Sequence, residues 1–255
     1  MQAEGAVAVV GWGSSTACSV VHTGIPFFSV IVPDYAGAVS ETRREACLES
    51  LRRSSWRDFE VLWFHDGPAP AVVQKRLQSL CAQDSRFRFH CTPQRHNDWG
   101  HSLRDAGINK ASGRYLLHLN ADNVIYPEAL ATLQAYSQRQ EKRLKGRGRN
   151  GSVVLHRINP QVLIYAIRLM GCVNAFGGAG HVRQPGKEIE QQLILPGWPP
   201  QPFMIDAMQL VTTREIWLAL GGWHDKSETS DGRLLAAIAR QHGYLVIPEV
   251  LGEHW

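Results

Sequence analysis

The sequence lacks three features that would point at once to a membrane, secreted or zinc-binding protein. No apolar run approaches the roughly 20 residues that a membrane-spanning helix needs. The apolar residues 6–10 follow no basic segment, so a signal peptide is not predicted. The five cysteines are widely spaced and contain no C-x-x-C pair. They predict reduced thiols in a cytoplasmic protein and disfavour a zinc cluster.

Strong charge is also absent. The formal net charge is +4 over 255 residues, which is too small for a protein committed to nucleic acid but suits a small anionic ligand. The hydrophobic content of 44% can supply the core of one domain, and the charged content of 20% argues against long disorder. We therefore expect no nucleic-acid partner and no transmembrane segment, while peripheral contact with a membrane surface stays open.

The sequence does contain an alternation of short apolar strands and helices. Strands are predicted at residues 27–33, 59–64, 87–91, 114–119 and 244–248, and helices at residues 40–53, 71–82, 100–111, 213–220 and 231–241. Ser40 is predicted to cap the first helix, and Pro127 is predicted to begin another. This alternation predicts an α/β fold with a doubly wound, mostly parallel sheet and right-handed crossovers.

Two segments do not follow the alternation. Residues 1–24 are interpreted as a lead-in or an extra strand. The basic run at residues 139–149 is predicted to be a solvated loop, with a basic flap near phosphates or an acidic acceptor as the alternative. Residues 146–151 match G-x-G-x-x-G, but an apolar run follows them where a helix should start, so a dinucleotide site is rejected.

Polar side chains stand at three of the predicted strand ends. Asp34 and Tyr35 follow the first strand, Asp66 follows the second, and Asn120 and Asp122 follow the strand at residues 114–119. Ligands of doubly wound sheets bind beyond the carboxyl ends of the strands, so we expect these groups to converge. A buried carboxylate between amides is costly unless it binds something. A site for a metal and a phosphorylated ligand therefore competes with a simple polar turn.

The order and spacing of six short segments resemble one known family. The segments are "SVIVP" at residues 29–33, "DFEV" at 58–61 with "DG" at 66–67, "LRDAGINKASGRYLLHLNADN" at 103–123, "YPEAL" at 126–130, "LGGW" at 220–223 and "SDGRLL" at 230–235. Together they resemble the family 2 glycosyltransferases of the GT-A fold, and the resemblance covers residues 27–255. The third segment ends where that family carries its Asp-x-Asp motif.

The resemblance implies an enzyme that moves a sugar from a nucleotide-diphosphate donor, with a UDP-sugar as the first expectation, to a hydroxyl acceptor such as a saccharide. It implies inversion at the anomeric carbon and a divalent cation, Mn²⁺ rather than Mg²⁺. It also implies a nucleotide-sugar-binding half at residues 25–137 and an acceptor-binding half of the same domain at residues 138–255.

The resemblance further implies roles for individual residues. The donor would contact Pro33, Asp34, Tyr35, Asp66, Arg104, Asn120 and Ala121. Within that set, Asp66 would accept a hydrogen bond from the nucleobase, although an Asp that closes a turn is the alternative.

The metal and the reaction would involve three other residues. Asp122 and His254 would bind the cation, although a histidine beside the last residue could equally be a frayed surface residue. Asp231 would be the general base of a single displacement, and a helix N-terminal aspartate favoured by the helix dipole is the alternative.

Three positions depart from the family pattern. His65, Asn120 and Ser230 stand where the family carries carboxylates. These replacements motivate a second hypothesis, a degenerate sugar-nucleotide-binding protein with little or no transferase activity. A nucleotidyltransferase is disfavoured, because the segment "PDYAGAVSE" after the first strand has one glycine where a phosphate loop needs several.

Overall fold

The computed structural model describes residues 24–140, 142–147, 153–174, 181–201 and 204–255. The strands are β1 Phe28–Asp34, β2 Phe59–His65, β3 Phe87–Cys91, β4 Tyr115–His118, β5 Val124–Ile125, β6 Lys142–Arg147, β7 Val153–Ile158, β8 Val162–Met170, β9 Cys172–Asn174, β10 His181–Arg183, β11 Gln192–Leu195, β12 Leu210–Thr213 and β13 Leu245–His254. The α-helices are α1 Glu41–Arg52, α2 Ala71–Gln83, α3 His101–Lys110, α4 Ala129–Ser137, α5 Arg214–Ala219 and α6 Ser230–His242. The predicted lead-in lies outside these residues, apart from its last position.

The central sheet has the strand order β3-β2-β1-β4-β12-β8-β13-β5, with β11 paired to β8. The first four strands are mutually parallel, as the alternation of strands and helices predicts. Strands β1, β2 and β4 are buried along their whole length because helices cover both faces. Val30 and Val32 pack in a core with residues of α1, α2 and α4, while Ile31 packs with residues of α3, α5 and α6. The sheet is therefore doubly wound.

The rest of the sheet is mixed. Strand β12 runs antiparallel between β4 and β8, whereas β13 runs parallel to β8. The strand predicted to stop at Pro248 continues to His254, because two register shifts after Ile247 and Val250 let the chain pass the proline and pair again. This extension carries the C-terminal residues to β5, where Glu253 pairs with Val124.

Two further expectations are corrected. Helix α4 begins at Ala129 rather than at Pro127. The basic run is not a simple loop, because Lys142–Arg147 pairs antiparallel with Val153–Ile158 to form a hairpin. Among the described residues, no helix combines the length and apolar character that crossing a membrane requires. The cytoplasmic location inferred from the cysteines stays a prediction.

Candidate active site

The carboxyl ends of three parallel strands meet at one edge of the sheet. Ala121, in the loop after β4, donates its backbone N–H to Pro33 O at 3.2 Å. Asp66, directly after β2, donates its backbone N–H to Asp34 O at 2.8 Å. The polar groups at these strand ends therefore share one region, as their positions in the sequence predict.

The Asp34 carboxylate is an internal anchor. Its side chain has 0% exposure and accepts hydrogen bonds from Arg44 Nε at 2.7 Å and from Trp63 Nε1 at 3.0 Å. These bonds tie α1 and β2 to the end of β1. Because the carboxylate is buried by these partners, its direct contact with a nucleotide is not supported. A contact between the donor and the backbone of Asp34 stays a prediction.

Asp66 organises the loop between β3 and α3. Its two carboxylate oxygens accept the backbone N–H groups of His96 at 2.8 Å and Asn97 at 3.0 Å. Asn97 and Trp99 have positive φ angles of 56° and 61°. Asparagine tolerates this backbone conformation better than most residues, whereas it is rare for a bulky residue such as tryptophan. Asp66 thus closes a turn, which is the alternative role expected for it. A hydrogen bond from a nucleobase to Asp66 stays a prediction.

Tyr35 lies beside this loop at the rim of the region. The guanidinium of Arg95 stacks over the Tyr35 ring, 3.7 Å from its centroid. His65 accepts the Ala36 N–H at Nε2 (3.0 Å) and contacts Gly67 O through Nδ1 (2.9 Å). Where the family carries a carboxylate, this chain has an imidazole that links the β1 and β2 loops.

Arg104 occupies the centre of the region and is buried. One of its terminal nitrogens donates to Trp99 O at 2.8 Å, and the other donates to Asn120 Oδ1. Its guanidinium carbon lies 5.0 Å from the ring centroid of Trp223. Burial lowers the pKa of Arg104, and the negative charges of four carboxylates raise it in part. These carboxylates are Asp206, Asp231, Asp98 and Asp122. The guanidinium thus holds the loop at residues 119–123, called the motif loop below, and its charge interacts with those of the four carboxylates.

One histidine and two carboxylates, His254, Asp206 and Asp122, interact as a cluster where the last strand approaches the loop after β4. His254 Nδ1 lies 3.2 Å from Asp206 Oδ2, and His254 also interacts electrostatically with Asp122. The chain end is held in place, because the backbone N–H of Trp255 donates to Asn123 Oδ1 at 3.3 Å. His254 thus lies in the paired strand β13, beside Asp206 and within electrostatic range of Asp122, so it is not a frayed end. Its role as a metal ligand stays a prediction.

Sequence reasoning missed Asp206. Its only local signal is the pattern Asp-x-x-Gln, which forms a capping box with Gln209 around the short 3-10 helix Ala207–Gln209. That pattern predicts a helix start and nothing about a ligand. The functional surroundings of Asp206 arise from the fold, because His254 lies 48 positions further along the chain.

The charges in the cluster shift each other's pKa values. Burial alone would lower the pKa of His254, but the charges of Asp206 and Asp122 outweigh burial and raise it. Burial alone would raise the pKa of Asp206, but the neighbouring His254 is the main cause that brings it down to about 2. Burial raises the pKa of Asp122, and the charge of His254 offsets this only in part.

Asp231 stands in the first turn of α6, where its Oδ1 accepts the backbone N–H of Gly232 at 2.7 Å. Burial raises its pKa and the negative charge of Asp206 raises it further, while Arg104 lowers it less. The preceding residue, Ser230, is fully buried and accepts a hydrogen bond from Trp223 Nε1 at 3.0 Å. Ser230 therefore joins α6 to Trp223. It supplies no carboxylate at the position where the family carries a glutamate.

The residues around Asp122 suit a divalent cation. Asp122 Oδ1 is buried and has no hydrogen-bond partner among the described residues, which is unusual for a carboxylate oxygen. Within the same described part of the chain, no three or more His, Cys, Asp or Glu side chains form a ready metal site. The chain thus offers Asp122 and His254, and a cation bound by them would take further oxygen ligands from a diphosphate and water.

Comparisons with known proteins agree with this architecture. TarS of S. aureus, in a complex with UDP-GlcNAc, matches with a TM-score of 0.59 at 15% identity, over 89% of this chain and 58% of that one. The mannosyltransferase PcManGT of Pyrobaculum calidifontis, in a complex with GDP-Man and Mn²⁺, matches with a TM-score of 0.56 at 16% identity, over 91% of this chain and 57% of that one. At such identities the likeness concerns the fold, and it confirms the expected GT-A fold.

Sequence comparison adds the family. An uncharacterized glycosyltransferase of Rickettsia felis is 28% identical over 83 residues, which are 32% of this chain and 13% of that protein. One of Rickettsia bellii is 28% identical over 102 residues, which are 40% of this chain and 14% of that protein. The matches therefore span only a small part of those relatives. The model of "Glycosyl transferase family 2" matches residues 29–156, just over half of the chain. The chain belongs to glycosyl transferase family 2.

Proposed function

We propose that the protein transfers a sugar from a nucleotide-diphosphate donor, UDP-linked as first choice, to a hydroxyl acceptor with inversion at the anomeric carbon. The observation that carries the proposal is that the charges of five residues interact at the carboxyl ends of the strands: Arg104, Asp122, Asp206, Asp231 and His254. The solved relatives with UDP-GlcNAc and GDP-Man support a nucleotide-sugar donor.

The donor would lie along the edge formed by the β1, β2 and β4 ends. Tyr35 offers its ring to the base, and the backbone of Pro33 and Ala121 lines the same edge. Asn120 Oδ1 accepts a hydrogen bond from Arg104, so the amide N–H groups of Asn120 are left to donate to a ribose oxygen. Arg104 contributes positive charge beside the diphosphate.

Asp122 and His254 would hold the divalent cation. When bound, the cation offsets the charge that develops on the leaving diphosphate. An imidazole beside a carboxylate supports Mn²⁺ over Mg²⁺, and the GDP-Man complex of PcManGT contains Mn²⁺. Asn120, in place of a carboxylate, removes one negative charge from this site, so we expect weaker metal binding than an Asp-x-Asp pair would give.

Asp231 is the proposed general base. The acceptor oxygen attacks the anomeric carbon, the bond from that carbon to the diphosphate oxygen breaks, and the hydroxyl proton passes to the Asp231 carboxylate. One carboxylate in this role produces a single displacement and therefore inversion. The raised pKa of Asp231 makes its carboxylate a stronger base than an exposed aspartate.

Donor binding can be tested by thermal unfolding with UDP, GDP and CMP, with and without Mn²⁺. A ligand at about 100 times its Kd stabilises the folded state by about 2.7 kcal/mol, which raises the Tm of a protein of this size by about 5–10 °C. We expect the largest shift with UDP and Mn²⁺. Equal results for all nucleotides and for buffer alone would refute a nucleotide-binding site.

Transfer can be tested with Asp231→Asn. We expect release of UDP from a UDP-sugar in the presence of acceptor saccharides to fall about 10²–10⁴-fold, while UDP still raises the Tm as in the wild type. Asp58→Asn, an exposed change before β2, serves as the matched control and should keep wild-type turnover. Wild-type turnover in Asp231→Asn would disprove the base assignment. UDP binding without transfer in the wild type would favour the degenerate binding protein.

A further inference from the structure

The two carboxylate oxygens of Asp206 have separate partners. Oδ1 accepts the backbone N–H of Met208 at 2.9 Å. Oδ2 lies 3.2 Å from His254 Nδ1, which is an ion-pair distance without the alignment of a hydrogen bond. Capping the 3-10 helix requires only the first contact. The second contact joins Asp206 to His254, whose charge interacts with that of Asp122. Asp122 Oδ1 is buried and has no hydrogen-bond partner among the described residues.

Asp206 is itself held firmly. Its backbone N–H donates to Gln209 Oε1 at 2.9 Å, and Gln209 Nε2 donates to Tyr165 O and Leu195 O, both at 2.9 Å. Gln209 is fully buried. The Asp206 carboxylate therefore has a defined orientation, set by β8 and β11 through a buried amide.

A carboxylate next to one imidazole nitrogen decides which nitrogen carries the proton. A negative charge beside Nδ1 favours the proton on that nitrogen and leaves the lone pair on Nε2, as in histidine ligands that a carboxylate orients. We propose that Asp206 is a positioning residue: it orients His254 and fixes its tautomer, so that Nε2 can bind the divalent cation together with Asp122. This inference rests on the metal site of the proposed function.

Asp206→Asn separates positioning from helix capping. Asparagine is also a good N-cap residue, so its side-chain oxygen can keep the Met208 N–H bond. Its amide then presents N–H donors to His254 Nδ1, which favours the opposite tautomer with the proton on Nε2. We expect this variant to remain folded, with a cooperative thermal transition, and to bind Mn²⁺ about 10–100-fold more weakly than the wild type.

Three measurements test the inference on the full chain. Electron paramagnetic resonance of free Mn²⁺ gives the affinity. Nitrogen-15 NMR at alkaline pH, with His254→Gln to assign the signals, gives the tautomer. Transferase activity titrated with Mn²⁺ should show a higher half-saturating concentration in Asp206→Asn, with a much smaller change at saturating Mn²⁺. Combining Asp206→Asn with His254→Gln should weaken binding no further than His254→Gln alone.

Glu253→Gln is the matched control. It removes a neighbouring negative charge that contacts Tyr126 and Trp255, and it should bind Mn²⁺ within about twofold of the wild type. The inference is overturned if Asp206→Asn keeps the proton on Nδ1 and binds Mn²⁺ as tightly as this control. It is also overturned if His254→Gln binds Mn²⁺ like the wild type.

Failure of the proposed function gives a different result. Sugar transfer by a wild-type protein that binds no Mn²⁺ would overturn the role of Asp206 and leave the transferase activity standing. Mn²⁺ binding that depends on Asp206 and His254, without transfer from any nucleotide sugar, would overturn the activity and leave the positioning role standing.

Discussion

Replacing Arg104 with lysine tests whether the buried guanidinium holds the motif loop in place. Arginine donates to Trp99 O at 2.8 Å and to Asn120 Oδ1 from two different nitrogens, and it lies 5.0 Å from the Trp223 ring centroid. A lysine amine has the same charge but no planar fork, so it can reach one of the two acceptors and not both. The substitution therefore isolates geometry from charge.

The expected loss follows from the contacts. One hydrogen bond to a charged group contributes about 1.5–3 kcal/mol, and a buried acceptor left without a donor adds a desolvation cost. We expect Arg104→Lys to lower the free energy of unfolding by about 2–4 kcal/mol. For a protein of this size that corresponds to a decrease in Tm of about 4–16 °C. Because one of the two loops that Arg104 connects loses its contact, UDP binding should also weaken.

The assay is urea unfolding, followed by tryptophan fluorescence, together with the thermal shift that UDP produces. Arg53→Lys is the matched control, because Arg53 is an exposed residue paired with Glu49 and should change stability by less than about 0.5 kcal/mol. If Arg104→Lys unfolds at the same urea concentration as this control and binds UDP like the wild type, the guanidinium does not organise the site.

Three more predictions concern the same edge of the sheet. Arg44→Met leaves the Asp34 carboxylate buried without its cation and should cost about 3–5 kcal/mol in urea unfolding; a loss below about 1 kcal/mol would contradict the anchoring role. Gly100→Ala places a Cβ on a residue with a φ of +78°, only 2.8 Å from Pro33 Cβ. The substitution should lower the free energy of unfolding by about 2–3 kcal/mol and weaken UDP binding. Thermal unfolding with and without UDP measures both effects. Asp231 must be ionised to accept a proton, and burial and the negative charge of Asp206 raise its pKa. As the pH decreases, log kcat/KM should therefore begin to fall at a pH above the ordinary aspartate pKa of about 3.9. A pH profile that is flat down to that value would contradict the assignment.

The parallel strands of the sheet can be predicted from the sequence because the patterns that indicate them are local. Short apolar runs ended by turn residues predict β1, β2, β3 and β4 within a few residues of their observed bounds, and Ser40 caps α1 as predicted. Because parallel strands bring their carboxyl ends to one edge, the same local signals also predicted that the polar strand ends would meet.

The family resemblance pointed to His254 and Asp231, but the sequence did not determine how these residues interact. The last strand was predicted too short, because a proline normally ends a strand and the register shifts that carry β13 past Pro248 depend on pairing with β8. The sequence predicts a donor contact for Asp34 but does not reveal that its carboxylate accepts hydrogen bonds from Arg44 and Trp63.

The sequence by itself determined the fold class and the edge of the sheet at which the site lies. Only the tertiary structure decided which groups share that site and which of them are engaged elsewhere. Asp206 and His254 become neighbours through strand pairing between distant segments, and their mutual charge shifts their pKa values in opposite directions. Such contacts leave no periodic or local pattern in the chain, because burial and charge act between side chains that only folding brings together.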